Sequence, residues 1–226
     1  MNTLFETMLV RAGRVILAEQ HLARMTRSAA ALGMPLPDAD EFHRTIAAAA
    51  THDAIRCTYD GATLAAKPRP IPPRTLLRRE RARAITLDPS LARTLPEHKL
   101  VEHYAVCERA LQQAFDSDAD EALFLTYTGR VLEGTTTNVF AVNAKSLVTA
   151  PEHVLPGITR EWVLEQAAQL GIDVELRAPT LPELRDGAFL TGSLTMLAPL
   201  RALNGEECRT PGAIFAVLAD RWSTLR

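Results

Sequence analysis

The first sixty-odd residues divide into runs with two different apolar spacings. In "LFETMLVRAGRVIL", Leu4 to Leu17, β-rich residues flank Ala12-Gly13-Arg14, which has turn chemistry. Beyond it Leu22, Met25, Ala29 and Leu32 recur at the three- and four-residue spacing of one helix face. The pattern predicts strand, turn, strand, helix. Gly33, Pro35 and Pro37 stop that helix, and a second is predicted over 38–50, where Phe42 and Ile46 stand four apart. Two strand-like runs in "AIRCTYDGATLAAKPRPIPP" then flank Asp60-Gly61, a hairpin dipeptide, ahead of a proline cluster. This portion reads as a small α+β unit.

From Pro68 to Pro96 arginine and proline dominate, and one strand, "ARAITLD", is predicted inside what reads as a crossing between domains. An amphipathic helix is predicted over 100–115, a hairpin around Thr128-Gly129 and another around Asn143, so the second half begins as antiparallel sheet. Pro156-Gly157 opens a helix that stops at Gly171, and 173–203 returns to strands with a short helix between them. The division expected is a small domain over 1–90 and a larger one over 91–226.

Composition narrows the function classes. The 226 residues are 47% hydrophobic, enough for real cores, and a net charge of -2 with scattered arginines offers no basic stripe for nucleic acid. No apolar run reaches the roughly 18 residues of a membrane span, and the N-terminus lacks signal-peptide features. A cytoplasmic protein with neither nucleic acid nor membrane as partner is expected. Cys57, Cys107 and Cys208 form no metal-ligand pattern and read as packing residues, so no metal site is expected.

Chemistry concentrates at a few positions. Lys99, at the head of the predicted 100–115 helix, is the only lysine between Lys67 and Lys145. The positive end of a helix disfavours its charged form and would lower its pKa, as an amine nucleophile needs, although a solvated surface lysine reads the same way. In "LPGITRE" a Pro-Gly turn delivers the N–H groups of Ile158, Thr159 and Arg160 to a helix N-terminus, which is either an anion cradle or an ordinary cap. In "LTGSLT" Gly192 lets a ligand approach the backbone while Ser193 and Thr195 offer hydroxyls. A lone carboxylate, Glu133, stands beside a glycine and three threonines in "LEGTTTNVFAV". An aldehyde for Lys99, a phosphate for the two turns and a basic ring nitrogen for Glu133 are all found in pyridoxal 5'-phosphate.

With these residues in place the chain resembles the class IV aminotransferases, the fold-type IV pyridoxal-phosphate enzymes. "EGTTTNVF" is similar to the family's EGxxxNxF signature and lies 34 residues after Lys99, and the likeness runs from "LFETM" to "LAPLRALNG". The resemblance implies an α+β fold: a small N-terminal α/β domain and a larger domain of antiparallel sheet or pseudo-barrel with flanking helices. It implies pyridoxal 5'-phosphate as cofactor, a small amino substrate and a homodimer. By position it makes Lys99 the Schiff-base lysine, Glu133 the carboxylate on the pyridine nitrogen, and Arg24 the phosphate arginine. Tyr104 would lie near the cofactor's phenolic oxygen, Ile158, Thr159, Gly192 and Ser193 around the phosphate, and Thr195 at the substrate. The segments "HLARMTRSAAALG" and "AIRCTYDGATLAAKPRPIPP" resemble 4-amino-4-deoxychorismate lyases, whereas Tyr104 resembles branched-chain aminotransferases. A lyase is favoured, with an aminotransferase of branched-chain or D-amino acids, or a non-catalytic paralogue, as alternatives. Family members usually carry a further segment ahead of "FET", so the resemblance leads to a small domain short at its start.

Overall fold

Ala12 and Gly13, with φ of 48° and 73°, fold β1 (Leu4–Arg11) back onto β2 (Arg14–Val15), so that Arg11 faces Arg14 and Val10 faces Val15. Two positive φ angles in a two-residue loop match the right-handed twist of the strands they join. The computed structural model describes residues 2–225. After α1 (Ala18–Ala31), α2 (Ala39–Ala49) begins at Asp38, whose carboxylate accepts the Glu41 N–H at 2.7 Å and caps the helix. Then β3 (Ala54–Tyr59) and β4 (Leu64–Arg69) complete an antiparallel sheet of order β2-β1-β3-β4. Alternation along β1 sends Leu4, Met8 and Val10 into one core with Met25, Phe42 and Ile46 from the two helices. Phe5 and Thr7 are left on the opposite face, toward a cavity.

The arginine- and proline-rich crossing contains a helix that its composition hid. α3 (Pro73–Glu80) starts with a proline in its first turn, where a missing N–H costs nothing. β5 (Ala82–Thr86) follows where a strand was predicted. The chain continues through α4 (Ala105–Asp116), β6 (Glu121–Leu125), β7 (Val131–Gly134), β8 (Asn138–Val142), β9 (Ser146–Thr149), α5 (Ile158–Leu170), β10 (Asp173–Leu176), α6 (Leu181–Asp186), β11 (Ala188–Gly192), β12 (Met196–Leu203), β13 (Glu206–Glu207) and α7 (Ala213–Ser223).

These strands form one nine-stranded sheet in which β8, β11, β12, β5, β6 and β7 close on themselves as a six-stranded barrel, because β8 pairs with β7 as well as with β11. The sheet is mixed, since β5 runs parallel to both β6 and β12 and β10 runs parallel to β9. Barrel strands are buried on both faces. Along β6, Leu123 and Leu125 point into the barrel with Ala84, Val139, Leu190 and Leu200, while Ala122 and Phe124 point out against α4. Along β8 and β11, Phe140 and Phe189 point out, stacked with ring centroids 5.1 Å apart, in the cluster that includes Trp162 of α5 and Trp222 of α7.

The barrel interior is filled by small aliphatic side chains and leucines, so a void there has nothing nearby to collapse into it. Leu190→Ala is expected to cost about 2–5 kcal/mol; a denaturant midpoint unchanged from the parent protein would contradict this packing.

One sequence expectation is corrected. Residues 100–104 do not belong to the following helix, which begins at Ala105. Leu100 instead forms an antiparallel bridge with Leu4, with the Phe5 N–H donating to the Lys99 carbonyl at 3.0 Å and the Val101 N–H to the Thr3 carbonyl at 2.9 Å. The apolar residues that suggested an early helix start are used to tie the two parts of the chain together. Among the described residues no helix is long and apolar enough to cross a membrane.

Candidate active site

A cavity of about 360 Å³ lies between the uncovered face of the small sheet, α3, α4 and one end of the barrel. Of the nine residues singled out in the sequence, eight line it: Arg24, Lys99, Tyr104, Glu133, Ile158, Gly192, Ser193 and Thr195. Thr159 does not. Its side chain faces a second, much smaller cavity shared with His21, Ser193 and Trp222, and its buried hydroxyl has no hydrogen-bond partner.

The position of Lys99 is set by its backbone, held against β1 as described. Its ammonium nitrogen lies 4.8 Å from the centroid of the Phe5 ring. The amine is pulled down to about 7, first by burial, then by the Arg24 guanidinium with Arg93 adding to it, while Glu6 opposes. This corrects the helix-terminus argument: Lys99 precedes the first residue of α4 by six positions, and loss of hydration, not a helix dipole, carries the shift. Above about pH 7 Lys99 is therefore a free amine. In cofactor-free protein, acylation of Lys99 followed by mass spectrometry should rise with pH to half its plateau near pH 7; a midpoint near 10 would contradict the desolvated environment.

Arg24, from α1, is nearly enclosed. Its Nε donates to Glu6 Oε1 at 2.8 Å, its Nη2 to Glu6 Oε2 at 2.5 Å and its Nη1 to the Pro156 carbonyl at 3.1 Å. His21 Nδ1 lies 2.6 Å from the same Glu6 Oε2. Burial would raise the Glu6 carboxyl, but Arg24 and His21 outweigh it and hold the group at about 2. Burial lowers His21 despite Glu6. With Glu6 ionised, a neutral His21 carries its proton on Nδ1 and leaves Nε2 as an acceptor, 3.5 Å from the Ser193 hydroxyl. Glu6 and His21 were not singled out in the sequence. Glu6 had one signal: a charged residue between Leu4 and Met8 on the core face of a strand.

Glu133 is buried near the end of β7, directly across from Asn138 on β8. One of its carboxylate oxygens accepts from Arg93, and the other accepts the Leu155 N–H at 2.9 Å, with Asn138 Nδ2 at 3.4 Å. Burial pushes the carboxyl up, and Arg93 and the Leu155 N–H resist that push. Arg93 sits in an irregular stretch and had no sequence signal. Gly134 is required by the turn: a Cβ there would lie 2.3 Å from Thr137 Oγ1 and 2.9 Å from Glu121 Cδ. The three threonines converge on Glu121, a fully buried carboxylate. It accepts from the Thr135 N–H at 3.0 Å and from the Thr136 and Thr137 hydroxyls at 2.8 and 3.0 Å, and pairs with Arg78 at 3.0 Å. They fix the cavity wall beside Glu133.

The two turns meet there as well. Gly157 precedes α5, and a Cβ on it would lie 1.9 Å from Asn138 Oδ1, so Asn138 braces this helix start through its fit to Gly157 and its 2.9 Å bond to the Leu155 carbonyl. A Cβ on Gly192 would lie 3.1 Å from the Thr136 carbonyl. Unpaired N–H groups at the start of α5 beside a glycine turn suit an anion. Tyr104, at the start of α4, stacks edge-on against Phe5 with centroids 5.3 Å apart, and burial pushes its phenol up.

Residues 3–203 match the family model described as amino-transferase class IV. A bifunctional aminodeoxychorismate lyase / D-amino acid transaminase from Mycobacterium tuberculosis is 32% identical over 259 residues, covering 96% of this chain and 87% of that protein. A hypothetical aminotransferase from Mycobacterium tuberculosis superposes with a TM-score of 0.87 in its PLP-bound form, at 28% identity, covering 99% of this chain and 88% of the other. Its alpha-ketoglutarate and PMP bound form gives a TM-score of 0.87 at 29% identity over the same shares. With a match spanning most of its length, a closed barrel shared with these structures and a lysine and a glutamate facing one cavity, the chain is a member of the class IV amino-transferase family.

Proposed function

We propose that this protein is a pyridoxal 5'-phosphate enzyme acting on a small amino substrate, and that its principal reaction is the release of pyruvate from 4-amino-4-deoxychorismate to leave 4-aminobenzoate. The observation that carries the first part is the convergence of a desolvated Lys99, a buried Glu133 and two anion-suited turns on one cavity. The residues fit the cofactor: the start of α5 and the Gly192–Ser193 turn offer N–H and hydroxyl donors for a phosphate, and at Gly192 any Cβ would crowd the Thr136 carbonyl. The lyase reading is supported by the 32% identical relative, a bifunctional aminodeoxychorismate lyase / D-amino acid transaminase, whose second activity is the second reading.

When bound, pyridoxal 5'-phosphate supplies an aldehyde carbon that an amine can attack and a ring that withdraws electrons. The chain's own residues supply the rest. Lys99 Nζ, pulled down to about 7 by burial, would be the amine that holds the group at that carbon, and the same nitrogen would serve as base for the proton on the substrate carbon bearing the amino group. Glu133, positioned by Arg93 and the Leu155 N–H, would face the ring nitrogen and hold its proton there. The Ile158 and Thr159 N–H groups with Gly192 and Ser193 would hold the phosphate, with the Arg24–Glu6 pair behind them. Tyr104 walls the cavity near the reacting amine, and Thr195, buried on the same wall, faces the substrate. In a transaminase the same Lys99 Nζ would carry that proton onward.

Family resemblance supports a homodimer, testable by light scattering at micromolar concentration. The reaction is tested by incubating cofactor-loaded protein separately with aminodeoxychorismate and with D-alanine plus alpha-ketoglutarate. Stoichiometric pyruvate and 4-aminobenzoate from the first supports the lyase. Glutamate formation from the second with no 4-aminobenzoate from the first makes the protein a D-amino acid transaminase instead.

A further inference from the structure

Two neighbouring arginines near the end of α3 reach two different turns of the active-site wall. Arg78 holds the threonine turn: its Nη1 donates to Glu121 Oε2 at 3.0 Å and to the Thr136 hydroxyl at 2.7 Å, and its Nη2 donates to the Asp120 carbonyl. Arg79 holds the glycine turn, where its Nε donates to the Leu194 carbonyl at 2.9 Å. Side chains one apart on a helix diverge by about 100°, which lets one short helix serve both turns. The turns also touch each other, since a Cβ on Gly192 would lie 3.1 Å from the Thr136 carbonyl. Thr135, Thr136, Ser193 and Thr195 from the two turns all line the cavity.

Neither arginine is an ordinary solvated one. Arg78 and Glu121 are both buried, and in such a pair the desolvation of two charges offsets most of their attraction. Arg79 is half-buried and makes no ion pair among the described residues. Burial lowers its pKa and the neighbouring Arg11 adds to this, while Asp53 opposes. The glycine turn needs outside support. Met196, which pairs with Gly192 across its base, has a φ of 61°, a left-handed conformation that a side-chain-bearing residue keeps only where its surroundings hold it. Arg11 Nη2, 3.2 Å from Met196 Sδ, holds it from one side, and Arg79 on the Leu194 carbonyl holds it from the other.

We propose that Arg78 and Arg79 are positioning residues, through which α3 braces the threonine turn and the glycine turn together and fixes the donors that Gly192 and Ser193 present to a phosphate. The identity of the anion rests on the proposed function; the brace does not.

The test has two readings. The first is hydrogen exchange of cofactor-free protein, followed by mass spectrometry. Arg79→Met should speed exchange about fivefold or more in peptides covering 192–196 and leave β6 unchanged. The second is the dissociation constant of pyridoxal 5'-phosphate set against that of pyridoxal, which lacks the phosphate, each read by absorbance near 410–420 nm. Arg79→Met should lower the preference for the phosphorylated ligand about tenfold while pyridoxal binding stays within about twofold of the parent. Arg78→Met alone would leave the Glu121 charge buried without a partner, so this arm is tested as an Arg78→Met, Glu121→Gln double variant. That variant should speed exchange over 134–138 and lower the same preference. Unchanged exchange at both turns overturns the brace. Equal loss of affinity for the two ligands also overturns the assignment, because it makes the arginines structural and nothing more. A parent protein that binds neither ligand removes the proposed function, and the exchange reading then decides the brace by itself.

Discussion

Lys99→Ala is expected to lose at least about 10³-fold in turnover with any amino substrate while retaining its fold, because one side chain supplies both the nucleophile and the proton carrier. The fold should survive: Lys99 is held through its backbone, by the Phe5 N–H and the neighbouring Leu4–Leu100 bridge, and its amine makes no hydrogen bond or ion pair among the described residues. Removing an amine already pulled down to about 7 by burial also relieves a desolvation cost, so the thermal midpoint of cofactor-free protein should hold or rise. Lys99→Arg retains charge but cannot act as a free amine, and it should be as inactive as the alanine variant. Turnover within tenfold of the parent in either variant would remove Lys99 from the chemistry.

Glu133→Gln should have the second largest effect, about 10²-fold or more in turnover, with a separate cost to stability. A neutral amide accepts hydrogen bonds from the Leu155 N–H but cannot hold a proton on a ring nitrogen. It also leaves Arg93, with only 11% of its side chain exposed, without its counter-ion. Breaking a buried pair from one side costs about 3–5 kcal/mol. The two effects separate by measurement. An Arg93→Met, Glu133→Gln double variant should recover much of the stability, read by denaturant unfolding, without recovering turnover. Recovery of both would mean that Glu133 acts only as a structural partner of Arg93.

The legible parts of the chain were those governed by short-range rules. The opening hairpin, Asp60-Gly61, Thr128-Gly129 and the helix from Pro156-Gly157 to Gly171 declare themselves through turn residues and apolar period, and each lies where the pattern put it. Barrel closure was not legible. It depends on β5 pairing in parallel with β6 and β12, contacts such as Ala84 with Leu203 that lie far apart in the chain and that no local period encodes. α3 was hidden because Pro72-Pro73 reads as a breaker until Pro73 is recognised as a first-turn residue. α7 carries apolar residues at Ile214, Phe215, Leu218 and Trp222, a helical spacing at the end of the chain that the strand-rich reading of 173–203 did not extend to.

At the site, motif and spacing found the residues on turns and strand ends, and eight of nine reach one cavity. What they could not show was the support behind them. Glu6 and His21 behind Arg24, Arg93 on Glu133 and Glu121 beneath the threonines are pairings across 14 to 40 residues that no local pattern joins. Thr159 was placed in the cradle by its N–H at the helix start and by its hydroxyl; consecutive helix side chains diverge by about 100°, and the side chain lines the smaller cavity behind.

The central claim is that Lys99 carries the cofactor. The most direct measurement is borohydride reduction of protein incubated with pyridoxal 5'-phosphate, followed by peptide mass spectrometry. The account predicts that absorbance near 410–420 nm disappears on reduction and that one phosphopyridoxyl group remains on the peptide containing Lys99. A colourless protein, or label confined to Lys67 or Lys145 with Lys99 unmodified, would contradict it.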